Sequence, residues 1–176
     1  NLGDEVTLRG YVRAPSTDTW TITYNLQCDD RTTQLGRKVV SLTFDQRVDF
    51  SENFRLSDTG SCFFKVISSS LSGTSEEATT STFVVSKELR GQFVLDKPKA
   101  HFGDEINLTG TIKRLDGTLV DGYGSVYLRK DNENYLVTSI NIIDGSFVFT
   151  KTIDQIPQGS FTFDVYVKDI FGNEHT

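Results

Sequence analysis

The sequence predicts an all-β protein built from two tandem antiparallel β-sandwich domains. Three observations support this fold class. The opening phrase, NLGDEVTLRG, returns one hundred residues later as HFGDEINLTG. Apolar and polar residues alternate with a period of two, as in a strand with one buried face. Turn sequences rich in Gly, Asn and Asp separate these runs about every ten residues, which is typical of a sandwich.

The composition limits the class of protein. With 176 residues, the chain is long enough for two small domains that each bury a core. Apolar residues make up 36%, and thirteen Phe side chains need a dry environment, so a disordered chain is excluded. The net charge of −6 argues against nucleic acid as a partner. Since no run approaches the roughly 18 apolar residues of a membrane helix, direct membrane insertion is not expected.

The repeat extends well beyond the opening phrase. Its matched positions are Gly3 and Gly103, Asp4 and Asp104, Glu5 and Glu105, Leu8 and Leu108, and Gly10 and Gly110. Further along, GSCFFKV at 60–66 is echoed by GSFTFDV at 159–165, so the offset changes only from 100 to 99. A register kept over this distance indicates that the chain contains two copies of one module.

The first module contains six alternating runs. EVTLRGYV places Val6, Leu8 and Val12 in phase, and TWTITYNLQC alternates apolar residues from Trp20 to Cys28. These runs predict strands at 5–14, 20–28, 38–44, 48–56, 61–69 and 80–88.

The second module shows the same alternation, for example in SFVFTKTI and SFTFDVYV, whose Thr, Val, Phe and Tyr residues favour strands. Its predicted strands are 92–96, 105–114, 124–130, 136–142, 146–153 and 160–168. The runs at 80–88 and 92–96 each occur in one module only, so superposition gives a seven-strand unit. We therefore expect two domains: residues 1–89, which lack the first strand of that unit, and residues 90–176, which lack the last.

The motifs of both modules resemble a known family. The second module carries x-G-[DE]-x-V-x-[LI]-x-G at 103–110, with Ile in place of Val, and a G-x-[FY]-x-[FIL]-x-V strand that ends in D-x-x-G-N at 159–173. These motifs resemble the immunoglobulin-like repeats of bacterial and archaeal surface-layer proteins, adhesins and secreted proteins, and are similar to macroglobulin-like domains. Module one departs from the ending, with SSSLSGTS instead. The resemblance implies an immunoglobulin-like sandwich in an extracellular setting, but no activity.

The GDE motif that opens each repeat has two interpretations. In the first, Gly provides a turn with positive φ and Asp caps the turn amides. In the second, oxygen ligands from both modules meet between the domains and bind calcium. The candidate ligands are Asp4, Glu5 and Asp58 from module one, and Asp116, Asp121, Asp169, Asn173 and Glu174 from module two. No loop has the regular D-x-D-x-D-G spacing, and no other cofactor is predicted.

The resemblance also implies a disulfide between Cys28 and Cys62. Cys28 ends the third strand of the seven-strand unit and Cys62 opens the sixth, and these strands are antiparallel neighbours in an immunoglobulin-like sandwich. Their Cα atoms would lie near the roughly 5.5 Å that a bridge requires. Because Phe161 stands at the position of Cys62, the bridge would belong to module one alone. Two buried free thiols are the alternative.

An enzymatic function is not predicted. The two histidines are His101, which copies Asn1 in a turn, and His175 near the end of the sequence. The sequence contains no G-x-S-x-G elbow and no C-x-x-C or H-x-x-x-H pattern, which are typical of nucleophilic and metal sites.

The candidate binding and modification residues are aromatic residues and one glycosylation sequon. The aromatic residues considered as a platform for sugars are Trp20, Tyr24, Tyr123, Tyr127 and Tyr135. Trp20 is in phase with the core, whereas Tyr123 and Tyr135 lie near loop ends and are expected to be exposed. NLT at 107–109 is a glycosylation sequon, and Asn107 should point outward because its neighbours are in phase with the core.

We therefore expect a non-catalytic spacer segment of a larger cell-surface or secreted protein, such as a surface-layer protein or an adhesin stalk. Its partners would be neighbouring immunoglobulin-like domains or other protein chains. One alternative is an accessory module that recognises a glycan or a protein. A second is an assembly subunit that accepts a strand from a neighbour at the open edge of module two.

Overall fold

The computed structural model describes residues 1–154 and 156–175, apart from the side chain of Leu136. Every regular element in this part of the chain is a β-strand, and all pairings between the named strands are antiparallel. The chain forms two compact units: Leu2–Ser86, called the first unit, and Lys87–Thr176 together with Asn1, called the second unit. The sequence predicts this division slightly later, after residue 89.

The first unit contains seven strands in two sheets. They are β1 (Glu5–Arg13), β2 (Asp18–Cys28), β3 (Arg31–Leu42), β4 (Arg47–Arg55), β5 (Gly60–Ser70), β6 (Ser75–Thr79) and β7 (Phe83–Val85). One sheet is the pair β1-β4, and the other has the order β3-β2-β5-β6, with β7 also paired to β5. The side chains between the sheets form one core, which includes Trp20, Ile22 and Leu26.

The described residues of the second unit also form seven strands. They are β8 (Arg90–Leu95), β9 (Glu105–Lys113), β10 (Gly122–Lys130), β11 (Glu133–Ile142), β12 (Ser146–Thr152), β13 (Thr162–Asp169) and β14 (Glu174–His175). The sheets have the orders β12-β9-β8 and β11-β10-β13-β14. The first, second and fifth strands of this unit thus share one sheet and face the other four. This arrangement is typical of an immunoglobulin-like sandwich. A separate core includes Ile112, Val126 and Ile142.

These two cores confirm the predicted fold class, an all-β chain with two tandem antiparallel sandwiches. The repeat is also visible in the register. Gly10 lies opposite Phe50 on β4, and Gly110 lies opposite Phe147 on β12. The chain turns through a glycine with positive φ before β1 and again before β9. This φ is 82° at Gly3 and 87° at Gly103, as the turn interpretation of GDE requires.

Three elements differ from the predicted strands. β3 begins at Arg31 rather than 38, because the chain reverses directly after β2 through Asp29, whose φ is 47°. The predicted strand 80–88 is replaced by β6 and β7, which pair with opposite ends of β5. In the second unit, β14 pairs with β13 where no last strand was predicted. All three segments are polar or very short, so alternation does not identify them.

Candidate functional site

The predicted disulfide is present in the first unit. Cys28 at the end of β2 lies directly opposite Cys62 on β5, and a bond joins their sulfur atoms. Their Cα atoms are 4.0 Å apart, nearer than the distance expected from the sequence. Both residues are fully buried in the same core as Trp20 and Leu26. The bridge therefore fixes the central strand pair of one sheet and closes a loop with a sequence separation of 34.

Asp169 organises the turn that contains the D-x-x-G-N motif. Its carboxylate is buried and accepts hydrogen bonds from the main-chain N of Phe171 (2.9 Å), the main-chain N of Asn173 (2.8 Å) and the Nδ2 of Asn173 (2.8 Å). Arg114 adds an ion pair at 3.5 Å and stacks its guanidinium over the Phe171 ring at 4.9 Å. The carboxylate thus accepts hydrogen bonds from turn N–H groups that would otherwise be bonded to water.

The first unit builds the equivalent turn with different chemistry. Ser70 takes the position of Asp169, and its main-chain N donates to the carbonyl of Thr74 as that of Asp169 donates to Asn173. The Ser70 hydroxyl accepts from the main-chain N of Thr74, and the Asp18 carboxylate accepts from the main-chain N of Ser72. The hydrogen bonds to Ser72 lower the pKa of Asp18. The turn is therefore retained although the motif is not.

The other candidate calcium ligands also have contacts inside their own units. Asp116 accepts from the main-chain N and the hydroxyl of Thr118, both at 2.9 Å, and Asp121 accepts from the main-chain N of Asp144 at 2.8 Å. The remaining contacts are Glu174 with Lys87, Glu5 with Arg55 and Asp58 with Thr33. The Asp4 carbonyl accepts from the main-chain N of Leu56.

Apart from Asp4, for which the contact is a main-chain one, these carboxylates therefore act as turn caps and ion-pair partners. Within 1–154 and 156–175, no group of three or more His, Cys, Asp or Glu side chains is arranged to hold a metal ion. The calcium site predicted from the sequence draws on both units and stays a prediction.

Asn107 of the sequon lies on β9 between two hydrogen-bonded neighbours. Its Nδ2 donates to Asp96 at 2.9 Å, and its Oδ1 accepts from the hydroxyl of Thr150 at 2.6 Å. Its side chain points away from the core, since Ile106 and Leu108 on either side are buried. A glycan on Nδ2 would replace one of its two hydrogens, so the bond to Asp96 would depend on the other.

An aromatic patch covers the outer face of one sheet in the second unit. We define the tyrosine face as Tyr123, Tyr127 and Tyr166, from the adjacent strands β10 and β13. Tyr127 and Tyr166 meet edge to face at 5.3 Å, and Tyr123 is 58% exposed. Val137 of β11, opposite Tyr127, extends this surface. Tyr166 was not singled out from the sequence because its neighbour on β10 is visible only once the sheet is formed.

The second predicted tyrosine, Tyr135, lies at the end of the same sheet. It is 38% exposed, packs edge to face on Phe161 at 5.4 Å, and donates from its hydroxyl to Glu133 at 2.9 Å. The bond to Glu133 raises the pKa of Tyr135. Of the other aromatics considered, Trp20 and Tyr24 are buried in the first core, as predicted for Trp20.

A groove in the first unit was not anticipated from the sequence. It has a volume of about 460 Å³ and runs between β1 and β6, with Leu8, Gly10, Val12, Phe50, Phe64 and Val66 along its floor. The groove is formed by the way the strands pair, so no residue motif marks it.

No protein-family model matches this chain, and a search of curated proteins finds no match either. In the part of the chain that the structure describes, no helix is long and apolar enough to cross a membrane.

Proposed function

We propose that the chain is a non-catalytic spacer segment of a larger extracellular protein. The observation that carries this proposal is the duplication itself: two copies of one sandwich, each with its own core. Repeated modules with separate cores extend a chain by units of fixed size, which is the function of a stalk or a surface layer. Neighbouring modules or other protein chains would be its partners.

The disulfide supports the extracellular location, because such bonds persist in oxidising compartments. It also suits a load-bearing role. β2 and β5 are central in their sheet, and a covalent bond between them keeps 34 residues closed under tension.

Stretching single molecules tests this proposal. If each unit is a mechanical module, two unfolding steps are expected: about 30 nm for the second unit and about 17 nm for the first, whose bridged loop stays closed. Under reducing conditions, the shorter step should lengthen to about 29 nm while the other is unchanged. A chain that extends smoothly, without discrete steps, would argue against a spacer under load.

The tyrosine face favours a second candidate function, an accessory module that recognises a glycan or a protein. Exposed tyrosines on a rigid sheet supply contact area at low entropic cost, and aromatic rings stack on sugars. Binding of the purified chain to a glycan array, abolished by Tyr123→Ser together with Tyr166→Ser, would support this function over the spacer. An array without reproducible binding would remove the glycan as a ligand.

A further inference from the structure

A small basic pocket lies on the outer face of the sheet β12-β9-β8 in the second unit. It has a volume of about 220 Å³, and the loop that follows β9 forms one of its walls. Its other lining residues are Arg90 and Gln92 of β8, and Thr111 and Lys113 of β9. These side chains point outward, because residues that alternate with them, such as Ile112, face the second core. The pocket thus brings together two cations and two neutral hydrogen-bonding groups.

The two cations face each other without an acid between them. Arg90 lies directly opposite Lys113 on the neighbouring strand, an arrangement in which like charges repel and weaken a sheet. Neither side chain forms an ion pair with a described residue, since the ion pairs of the second unit involve other cations. In the first unit, Arg13, the copy of Lys113, pairs with Asp45 at 3.0 Å. The second unit therefore keeps a positive charge that the first unit neutralises.

Two acids beside the pocket already have partners of their own. Asp116, in the wall loop, accepts from the main-chain N and the hydroxyl of Thr118, both at 2.9 Å. Asp169 pairs at 3.5 Å with Arg114, the third basic residue that lines the pocket. The charges of Arg90 and Lys113 are consequently available to an anion from solution.

We propose that this pocket binds a tetrahedral oxyanion, that is, a sulfate or phosphate group. The planar guanidinium of Arg90 matches two oxygens of such a group, and the ammonium of Lys113 adds a point charge. The side-chain amide of Gln92 and the hydroxyl of Thr111 supply donors for the remaining oxygens. A carboxylate, with one charge and two oxygens, would leave part of this donor set unused. The bound anion would also offset the repulsion between the two cations.

Calorimetry of the full chain in sodium sulfate, sodium phosphate or sodium acetate, at one ionic strength set with sodium chloride, tests this site. Sulfate and phosphate stabilise folded proteins in general by exclusion from their surface, so both units should gain a little stability. Binding should raise the transition of the second unit by a further amount of about 5–10 °C at ten times Kd. Equal shifts of the two transitions, or a shift in acetate as large as in sulfate, would contradict the proposal.

Lys113→Gln gives a second test, and Lys168→Gln is its matched control. Lys168 is an exposed lysine on β13, in the other sheet, and its loss changes the net charge equally. In chloride alone, Lys113→Gln should leave the second unit as stable or more stable, because its repulsion with Arg90 is gone. A loss of stability there would contradict the repulsion on which the proposal depends.

The affinity of both variants for sulfate is measured by NMR titration of the side-chain amide of Gln92. Lys113→Gln should weaken binding about tenfold, the loss expected for one charge-assisted hydrogen bond, whereas Lys168→Gln should bind as the wild type does. The same affinity in both variants would overturn the proposal.

A comparison of inorganic sulfate with glucose 6-sulfate, and of inorganic phosphate with glucose 6-phosphate, separates two sources of the anion. Tighter binding of the esters supports an oxyanion carried by a saccharide, whereas tighter binding of the inorganic ions supports a free ion. No change in the Gln92 signals at about 100 mM of any of these probes would overturn the oxyanion site. None of these results depends on the spacer function, which the stretching experiment tests separately.

Discussion

Gly10 on β1 lies directly opposite Phe50 on β4, and a β-carbon at position 10 would come within 2.6 Å of the Phe50 ring. Gly110 and Phe147 repeat this relationship in the second unit, where the distance would be 2.1 Å. The phenylalanine ring therefore occupies the space that a side chain would take. This explains why a glycine, which usually weakens a strand, recurs at the same point of both modules.

Gly10→Ala should destabilise the first unit by about 1–3 kcal/mol, because the buried Phe50 ring has to move. Gly36→Ala is the matched control. Gly36 also lies in a strand of the first unit, but its β-carbon would meet its nearest neighbour at 3.6 Å, an ordinary contact. Chemical denaturation of both variants checks this. Equal stability of the two would show that the ring does not require glycine.

Removal of the disulfide should affect one unit only. The bridge closes a loop of 34 residues in the first unit, so Cys28→Ala with Cys62→Ala should cost about 3–4 kcal/mol there. Calorimetry should show the transition of the first unit lowered by more than about 10 °C and the other in place. A shift of both transitions would mean that the units do not unfold independently.

Much of this architecture follows from local patterns, and the reasons are physical. The period of two identifies strands whose two faces differ, so β1, β2, β9 and β13 were located within a few residues. The alternation gives no signal where a strand is exposed on both faces, as in β6, whose residues are all exposed. Turn residues likewise mark where the chain reverses but not which strand follows, so the early start of β3 was missed.

The candidate site was less predictable than the fold. The disulfide was found because the position of each strand in a sandwich determines its neighbours. A carboxylate in a turn has the same sequence signature whether it caps amides, as Asp169 does, or binds a metal. The groove beside β1 and the contact of Tyr127 with Tyr166 depend on how strands are arranged in space. No single segment of sequence contains that information.

Tyr24→Phe should leave the first unit as stable or make it more stable by about 1 kcal/mol. The Tyr24 hydroxyl is buried without a hydrogen-bond partner among the described residues, so its removal relieves a desolvation cost. The ring itself packs against Phe50 at 5.3 Å and Phe54 at 5.5 Å. Tyr24→Ala, which removes these contacts, should therefore cost about 3–5 kcal/mol. A large loss of stability in Tyr24→Phe would reveal a partner for the hydroxyl.

The second unit should lose stability in acid, in part through Asp96. Hydrogen bonds from the main-chain and side-chain amides of Asn107 lower the pKa of Asp96 below its usual value of 3.8. A carboxyl with a lowered pKa contributes stability that is present above the unfolded value and is lost as the pH falls through the folded one. Melting temperatures measured from pH 5 to pH 2 should fall less steeply in Asp96→Asn than in the wild type. The same slope in both proteins would exclude this contribution.

Each half of the chain buries its own core, and every other conclusion depends on this claim. It is tested most directly by producing residues 2–86 and 87–176 separately and recording the amide NMR spectrum of each beside that of the whole chain. We expect both fragments to be folded, with dispersed signals that overlay those of the intact protein except near the cut at Ser86 and Lys87 and near Glu88 and Leu115, which lose their hydrogen bonds to Asn1. A fragment that is unfolded alone, or signals displaced throughout a core, would contradict two independent sandwiches.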